Sequence, residues 1–135
     1  MIPVIQETSL PCGIRLWLVE RHALPLVHLS FVFRAGADAD PSGKAGVGAL
    51  AADAIDAGTP SRSLADIAEQ FDFAGAYFQS SVAHDGTVFS LSTLTPHLHD
   101  MVAVIGDLLR NATFPESEVE RIRNCLLYTS DAADE

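Results

Sequence analysis

The sequence has few basic residues and few cysteines. Its 135 residues include 8 Lys and Arg against 18 Asp and Glu, which gives a formal net charge of -10. Nucleic-acid binding needs a clustered basic surface, so this balance argues against a nucleic-acid partner and disfavours an anionic membrane surface. Cys12 and Cys125 lie far apart, with no Cys or His beside them at metal-site spacing. We therefore predict neither a disulfide framework nor a zinc knuckle.

Long apolar runs are also missing from the chain. No apolar stretch approaches the roughly 20 residues that span a bilayer, so no transmembrane segment is predicted. Residues 1–7 have no basic segment leading into an apolar one, so no signal peptide is predicted either. Hydrophobic residues make up 48% of the chain. That content is enough for one ordinary core, and nothing in the length requires a second domain.

The first half of the chain shows two strand patterns and then two helix patterns. Residues 14–20 and 26–33 have strand character, and we predict that these strands pair with each other as an antiparallel hairpin or as near neighbours. Helical spacing begins at Val47, with Gly58 as the predicted end of that helix. A second helix is predicted from Ser63, with Asp66 completing a capping box, to Gly75.

The second half repeats this order. Residues 77–83 and 87–94 alternate with period two and are joined through Asp85-Gly86, which predicts a hairpin. Thr95 is a predicted N-cap, with Pro96 at the first position of a third helix that ends at Asn111. A fourth helix is predicted to begin at Glu116, with acidic residues in its first turn. The whole pattern predicts an α+β fold in which helices pack on one face of an antiparallel sheet.

Four short segments carry a family resemblance over residues 14–124. They are the strand exit Phe33-Arg34-Ala35-Gly36, the loop Pro41-Ser42-Gly43-Lys44-Ala45-Gly46, the helix end Gly58-Thr59, and Phe114-Pro115-Glu116 before Glu120-Arg121-Ile122-Arg123. In this order they resemble the insulinase/pitrilysin-like (inverzincin) zinc metallopeptidases. The similarity is greatest to the zinc-less partner subunits of the bacterial heterodimeric members.

In that family the helix after the loop carries His-x-x-Glu-His, where two imidazoles bind zinc and the Glu activates the metal-bound water. The corresponding positions here are Ala49, Ala52 and Asp53. A methyl group can neither ligate a metal nor accept a proton. The resemblance therefore implies no catalytic, cofactor-binding or metal-ligating residue in this chain, with zinc expected in a partner. The family's third ligand, a Glu, would fall near Thr129.

A replacement metal site is one alternative that the residues leave open. Asp53 and Asp56 lie three apart on the predicted helix and, with His28 or His84, would form an acidic cation site. The competing interpretation is a solvated acidic helix face.

The histidines allow further alternatives. The His84-Asp85 pair, with Ser80 or Ser81, would be part of a hydrolytic triad, but no nucleophile elbow surrounds either serine, and a tight polar hairpin explains them better. His97 and His99 are two residues apart and point to different sides of a helix, so a surface location is predicted.

The last eleven residues, Cys125 to Glu135, look like a translated transposase mosaic end with a sequencing adapter. The predicted organisation is therefore a partial N-terminal insulinase-like peptidase domain over residues 1–124 and an adapter scar over 125–135. The alternative is a genuine polar C-terminus.

The function implied by the resemblance is that of a non-catalytic subunit, a pseudopeptidase that is not catalytic alone. It would form a hetero-oligomer with a motif-bearing subunit, contributing substrate chamber and dimer surface while that partner cleaves peptides. Two alternatives are an active zinc metalloendopeptidase with a rearranged site and a structural core-protein homologue of a respiratory complex. The resemblance suggests that the protein is located in the periplasm or cell envelope.

Overall fold

A computed structural model describes residues 3–133 of the chain, with side chains described to Thr129. Its elements are β1 (Ile5–Ser9), β2 (Arg15–Val19), β3 (Leu26–Phe33), α1 (Val47–Asp53), β4 (Gly58–Thr59), β5 (Arg62–Ser63), α2 (Leu64–Ala74), β6 (Tyr77–Val82), β7 (Thr87–Leu94), α3 (Leu98–Asn111) and α4 (Glu116–Ala133), with short 3-10 turns at Ala37–Ala39 and Thr95–His97. The predicted α+β class is confirmed. No helix within residues 3–133 has the length and apolar content to cross a membrane.

The central sheet has three antiparallel strands in the order β3-β7-β6. The predicted hairpin between β6 and β7 is confirmed, and β7 also pairs along its full length with β3. Alternation along β7 decides its two faces, because successive side chains of a strand point to opposite sides. Phe89, Leu91 and Thr93 are buried, while Ser90 and Ser92 are only half-buried on the other face.

The core lies between this sheet and the helices α2 and α3. Leu91 and Leu108 have no exposed surface, and Ile67 and Ile105 are 1% exposed. They belong to one apolar cluster that also contains Ala74, Met101 and Val104. The apolar positions of α3 recur at helical spacing, so they form one stripe that faces the sheet. The helices thus pack on one face, as predicted.

The ends of α2 follow the sequence signals. The Ser63 hydroxyl accepts the backbone N–H of Asp66 at 3.2 Å, and the Asp66 carboxylate accepts the backbone N–H of Ser63 at 2.8 Å. This is the predicted capping box. Gly75 closes the helix in the left-handed conformation, with φ of 57°. A residue without Cβ adopts that conformation at little cost.

The predicted start of α3 is corrected by two residues. Thr95–His97 form a 3-10 turn that contains Pro96, and the α-helix itself begins at Leu98. Such tighter turns are frequent at helix ends. The predicted end at Asn111 is confirmed.

The predicted pairing of the first two strands is wrong. β2 pairs with β1, a strand that the sequence reasoning missed, and β3 pairs with β7. The tight turn at Gly13, with φ of 87°, brings β1 onto β2 locally. The eight residues of β3 instead match the eight of β7 in register. Periodicity identifies a strand, whereas its partner depends on register and turn geometry.

The N-terminal hairpin of β1 and β2 is exposed on both faces. Every residue of the two strands is exposed, including Trp17 at 55%. The Arg15 guanidinium lies over the Trp17 ring, 5.2 Å from its centroid.

The predicted end of α1 at Gly58 is also wrong, because the helix stops at Asp53. The chain then turns inward, so that Ala54 and Ala57 are 1% and 3% exposed. Burial of these two methyl groups overrides the local preference of alanine for helix. The predicted start of α4 at Glu116 agrees with the structure, and the helix continues to Ala133. Residues 125–133 of the predicted scar are therefore helical, and their origin stays a prediction.

Candidate functional site

The loop before α1 is held by the carboxylate of Asp40. Its oxygens accept the backbone N–H groups of Gly46 at 2.6 Å and Gly48 at 2.8 Å. Gly46 has φ of 89°, a conformation that favours glycine. A Cβ on Gly48 would lie 2.9 Å from the Asp40 carboxylate. The two glycines and the aspartate therefore fix where α1 begins.

The three motif positions of α1 carry no zinc-binding set. Ala49 is half-buried, Ala52 is 5% exposed, and Asp53 is exposed. Neither alanine offers a lone pair, and one carboxylate falls short of the three protein ligands that a catalytic zinc site uses. The residues present do not fit a resident zinc ion.

Asp53 accepts a hydrogen bond from a strand of the sheet. The Ser80 hydroxyl of β6 donates to an Asp53 carboxylate oxygen at 3.2 Å. Ser80 follows Phe78 by two residues, so both side chains lie on the helix-covered face of the sheet. Asp53 therefore ties the end of α1 to β6, at the position where motif-bearing members of the family that this chain resembles carry a histidine.

Asp56 lies just beyond α1 and is half-buried. Burial raises its pKa above the ordinary value, and the nearby Asp53 charge adds to this rise, while the Arg121 charge on α4 opposes it. Removal of a carboxylate from water disfavours its charged form, which explains the direction. Burial and the neighbouring negative charge thus both disfavour the ionised form of Asp56.

The structure does not bring the predicted metal-site histidines to these acids. His28 lies on the open face of the sheet, where its Nδ1 is 2.9 Å from the Ser92 hydroxyl and its Nε2 is 3.3 Å from the Ser30 hydroxyl. His84 lies in the β6–β7 turn, and its carbonyl accepts the backbone N–H of Asp38 at 2.9 Å. Across residues 3–133, no three His, Cys, Asp or Glu side chains gather as a metal site would require. The replacement metal site is not assembled.

The hydrolytic alternative is not assembled either. Ser80 is bound to Asp53, and Ser81, the next residue on β6, points to the opposite face. In the part of the chain that the structure describes, the His84 side chain makes no hydrogen bond to either serine. His99 is exposed, as predicted, whereas His97 is half-buried and packs edge-on against Phe73 with ring centroids 5.7 Å apart.

Sequence reasoning missed a dense polar cluster in the described part of the chain, around Asp107 of α3. The carboxylate of Asp107 accepts hydrogen bonds from Asn111 and Thr59, both at 2.8 Å, and from Ser61 at 3.0 Å. It also forms an ion pair with Arg62. The hydrogen bond from Asn111, followed by those from Thr59, Ser61 and Arg62, holds the pKa of Asp107 well below its ordinary value.

This cluster joins the short β4–β5 turn to α3. Only one of its contacts, from Asp107 to Asn111 four residues later, has a sequence signature, because i,i+4 side chains are neighbours on a helix. The partners from the turn are 45 to 48 residues away in sequence. The cluster's hydrogen bonds, as the described residues make them, connect β4, β5 and α3 and involve none of Ala49, Ala52 and Asp53.

The fold and the helix α1 define a class: an α+β domain of the peptidase type, in which α1 carries Ala49, Ala52 and Asp53. The family described as "Insulinase (Peptidase family M16)" matches residues 17–135. The chain belongs to the insulinase family, peptidase family M16.

Individual relatives agree with that assignment. An uncharacterized zinc protease of Rickettsia bellii (strain RML369-C) is 26% identical over 95 residues, 70% of this chain and 23% of that protein. The mitochondrial-processing peptidase subunit beta of Homo sapiens is 29% identical over 70 residues, 52% of this chain and 14% of that protein. The chain thus spans less than a quarter of the length of these relatives.

Solved structures show the same fold. The crystal structure of a peptidase M16 inactive domain from Pseudomonas fluorescens superimposes with a TM-score of 0.85 and 26% identity, covering 93% of this chain and 31% of that one. A protease from Helicobacter pylori gives a TM-score of 0.78 at 14% identity, covering 92% of this chain and 30% of that one, which concerns the fold alone.

Proposed function

We propose that the chain is a non-catalytic part of an insulinase-like peptidase, a pseudopeptidase that works beside a motif-bearing partner subunit. The observation that carries this proposal is the occupation of the three motif positions by Ala49, Ala52 and Asp53. Zinc and the water-activating glutamate would belong to the partner. The label "inactive domain" on the similar Pseudomonas fluorescens structure supports the proposal.

The local structure around these positions supports a settled, non-catalytic site. Ala52 is 5% exposed, so a longer side chain at that position would have to displace its neighbours. Asp53 is bound to Ser80. A packed methyl group and one hydrogen bond thus occupy these positions, and Ala52 offers no proton acceptor in place of the glutamate.

The contribution to proteolysis would be a chamber wall and an interaction surface. The open face of the sheet carries a polar row that includes His28, Ser30 and Ser92. β6 is an edge strand next to α1. Its unpaired backbone groups would allow an extended peptide to add as a further strand, a common mode of peptide recognition. In this proposal the chain holds substrate while the partner subunit cleaves it.

The test uses this chain co-expressed with the motif-bearing family member that the proposal predicts to be encoded by a neighbouring gene. Each protein alone, and the two together, are assayed for hydrolysis of a fluorogenic peptide and for bound zinc by mass spectrometry. Hydrolysis is expected from the complex only, with zinc in the partner. Glutamine in place of the partner's motif glutamate should abolish it, since no general base would remain.

The matched variant in this chain is Asp53→Ala, which should leave the rate of the complex within about twofold because Asp53 has no chemical role. Loss of activity in that variant, with the complex still assembled, would show that Asp53 acts in catalysis. Chelator-sensitive hydrolysis by this chain alone would replace the proposal with the rearranged-site alternative. Recovery of this chain in a respiratory membrane complex instead would favour the structural core-protein alternative.

A further inference from the structure

A groove of about 360 Å³ lies between α2 and α3, and nothing proposed above uses it. Its base is apolar, because Ala74 and Met101 line it and are 1% and 3% exposed. It lies among the helices, whereas the proposed peptide-holding surface is β6 and the open face of the sheet. The inference below is therefore independent of the proposed function.

The wall of the groove carries an exposed aromatic ring. Phe73 lies near the end of α2 and is 81% exposed. Its one aromatic neighbour in the described residues is His97, which contacts it edge-on and leaves most of the ring open. An aromatic side chain of this kind, next to an apolar hollow, is the type of anchor on which binding energy concentrates.

The charge of the groove is negative. Asp66, Glu69 and Asp100 line it, and His97 is the one basic residue among the side chains that do so. Asp66 is committed to the capping box of α2. Among the described residues, Glu69 and Asp100 form no ion pair, and neither carboxylate accepts a hydrogen bond. Two free carboxylates thus flank an open aromatic ring, an arrangement complementary to a flat organic cation.

We propose that this groove binds an arginine side chain carried by a segment of a partner protein. The guanidinium stacks on the open face of Phe73 and pairs with Glu69 and Asp100, while the methylene stem lies over Ala74 and Met101. Arginine fits better than lysine, because a planar, weakly hydrated fork both stacks on an aromatic ring and reaches two carboxylates, whereas an ammonium remains a hydrated point charge. The net charge of -10 favours approach of a basic segment.

The experiment titrates the full 135-residue chain, labelled with ¹⁵N, with acetyl-triarginine amide at low salt and follows the backbone amides by NMR. Saturable shifts are expected at Glu69, Phe73 and Asp100. Phe73→Ala keeps every charge and is expected to weaken binding about fivefold or more. Because Phe73 is largely exposed, this variant should keep the fold, which the dispersion of its spectrum verifies.

A matched pair of double variants separates a site from a general charge effect. Glu69→Gln/Asp100→Asn removes two charges from the groove and should weaken binding about fivefold or more, whereas Asp85→Asn/Glu116→Gln removes two elsewhere and should change it less than about twofold. Equal weakening by both double variants would overturn the proposal, and so would unchanged binding by Phe73→Ala. Equal affinity for acetyl-trilysine amide would overturn the stacked arginine and leave only charge attraction.

Discussion

The helices α1 and α3 lie on the same side of the sheet but differ in burial and in polar contacts. α1 has seven residues, of which only Ala52 is buried, whereas α3 has fourteen, with Met101, Val104, Ile105 and Leu108 buried. Asp53 of α1 receives one side-chain hydrogen bond, while Asp107 of α3 receives four. In the described residues, the side-chain hydrogen bonds of Asp107 therefore join α3 to the β4–β5 turn, whereas α1 is joined to the sheet by the single hydrogen bond of Asp53.

Truncation of a core side chain should reveal the largest difference in stability between the two helices. Leu108→Ala in α3 is expected to lower the free energy of unfolding by about 2–5 kcal/mol, since the site is fully buried and a cavity would remain. Leu50→Ala in α1 should cost clearly less, because Leu50 is only half-buried. Urea unfolding measures both. An equal loss for Leu50→Ala would mean that α1 is as firmly packed as α3.

The two perturbed carboxylates should respond to pH with opposite signs. The lowered pKa of Asp107 stabilises the fold above the unfolded value of about 3.9, and this stability is lost as the pH falls below it. Asp107→Asn should therefore lower the urea midpoint at pH 7, with a smaller difference from the parent at pH 3.

Asp56 has a raised pKa, so its ionised form destabilises the folded state once the pH exceeds the unfolded value. Asp56→Asn should accordingly raise the urea midpoint at pH 7 and change it little at pH 3. The parent chain, measured at the same two pH values, is the control for both variants. Midpoint changes of the same sign at pH 7 would contradict the opposite environments of the two groups.

A single type of substitution should have opposite effects in the two helices. Gly106→Ala in α3 meets nothing within 4 Å and should stabilise the fold by about 0.5–1 kcal/mol, because alanine favours helix. Gly48→Ala in α1 places a Cβ against the Asp40 carboxylate. It should destabilise the fold by about 1 kcal/mol, because the hydrogen bonds from Gly46 and Gly48 to Asp40 must lengthen. Thermal unfolding measures both variants. Stabilisation by Gly48→Ala would show that the Asp40 hydrogen bonds contribute little to stability.

Local sequence signals predicted the elements whose cause is local. The Ser63 to Asp66 capping box, the Gly75 end of α2 and the Asp85-Gly86 hairpin all depend on residues within a few positions of each other. The alternation of β3 and the apolar stripe of α3 likewise follow from the two periods of strand and helix. That Ala49 and Ala52 cannot bind a metal follows from their residue type alone.

Several of the predictions that failed depended on partners distant in the sequence. β3 pairs with β7, about 60 residues further along the chain, and α1 ends at Asp53 rather than Gly58, where Ala54 and Ala57 become buried. The Asp107 cluster joins residues 45 to 48 positions apart in sequence. The hydrogen bond from Ser80 to Asp53 joins residues 27 apart.

The sequence by itself determined the α+β class, most element positions, the family resemblance and the presence of Ala49, Ala52 and Asp53 on α1, because each depends on residue type and short-range spacing. The tertiary structure alone decided that β3 pairs with β7, that Asp53 accepts a hydrogen bond from Ser80, and that Phe73, Glu69 and Asp100 share one groove. The physical reason is that those facts depend on side chains far apart in the chain, and their proximity arises only when the shared apolar core is buried.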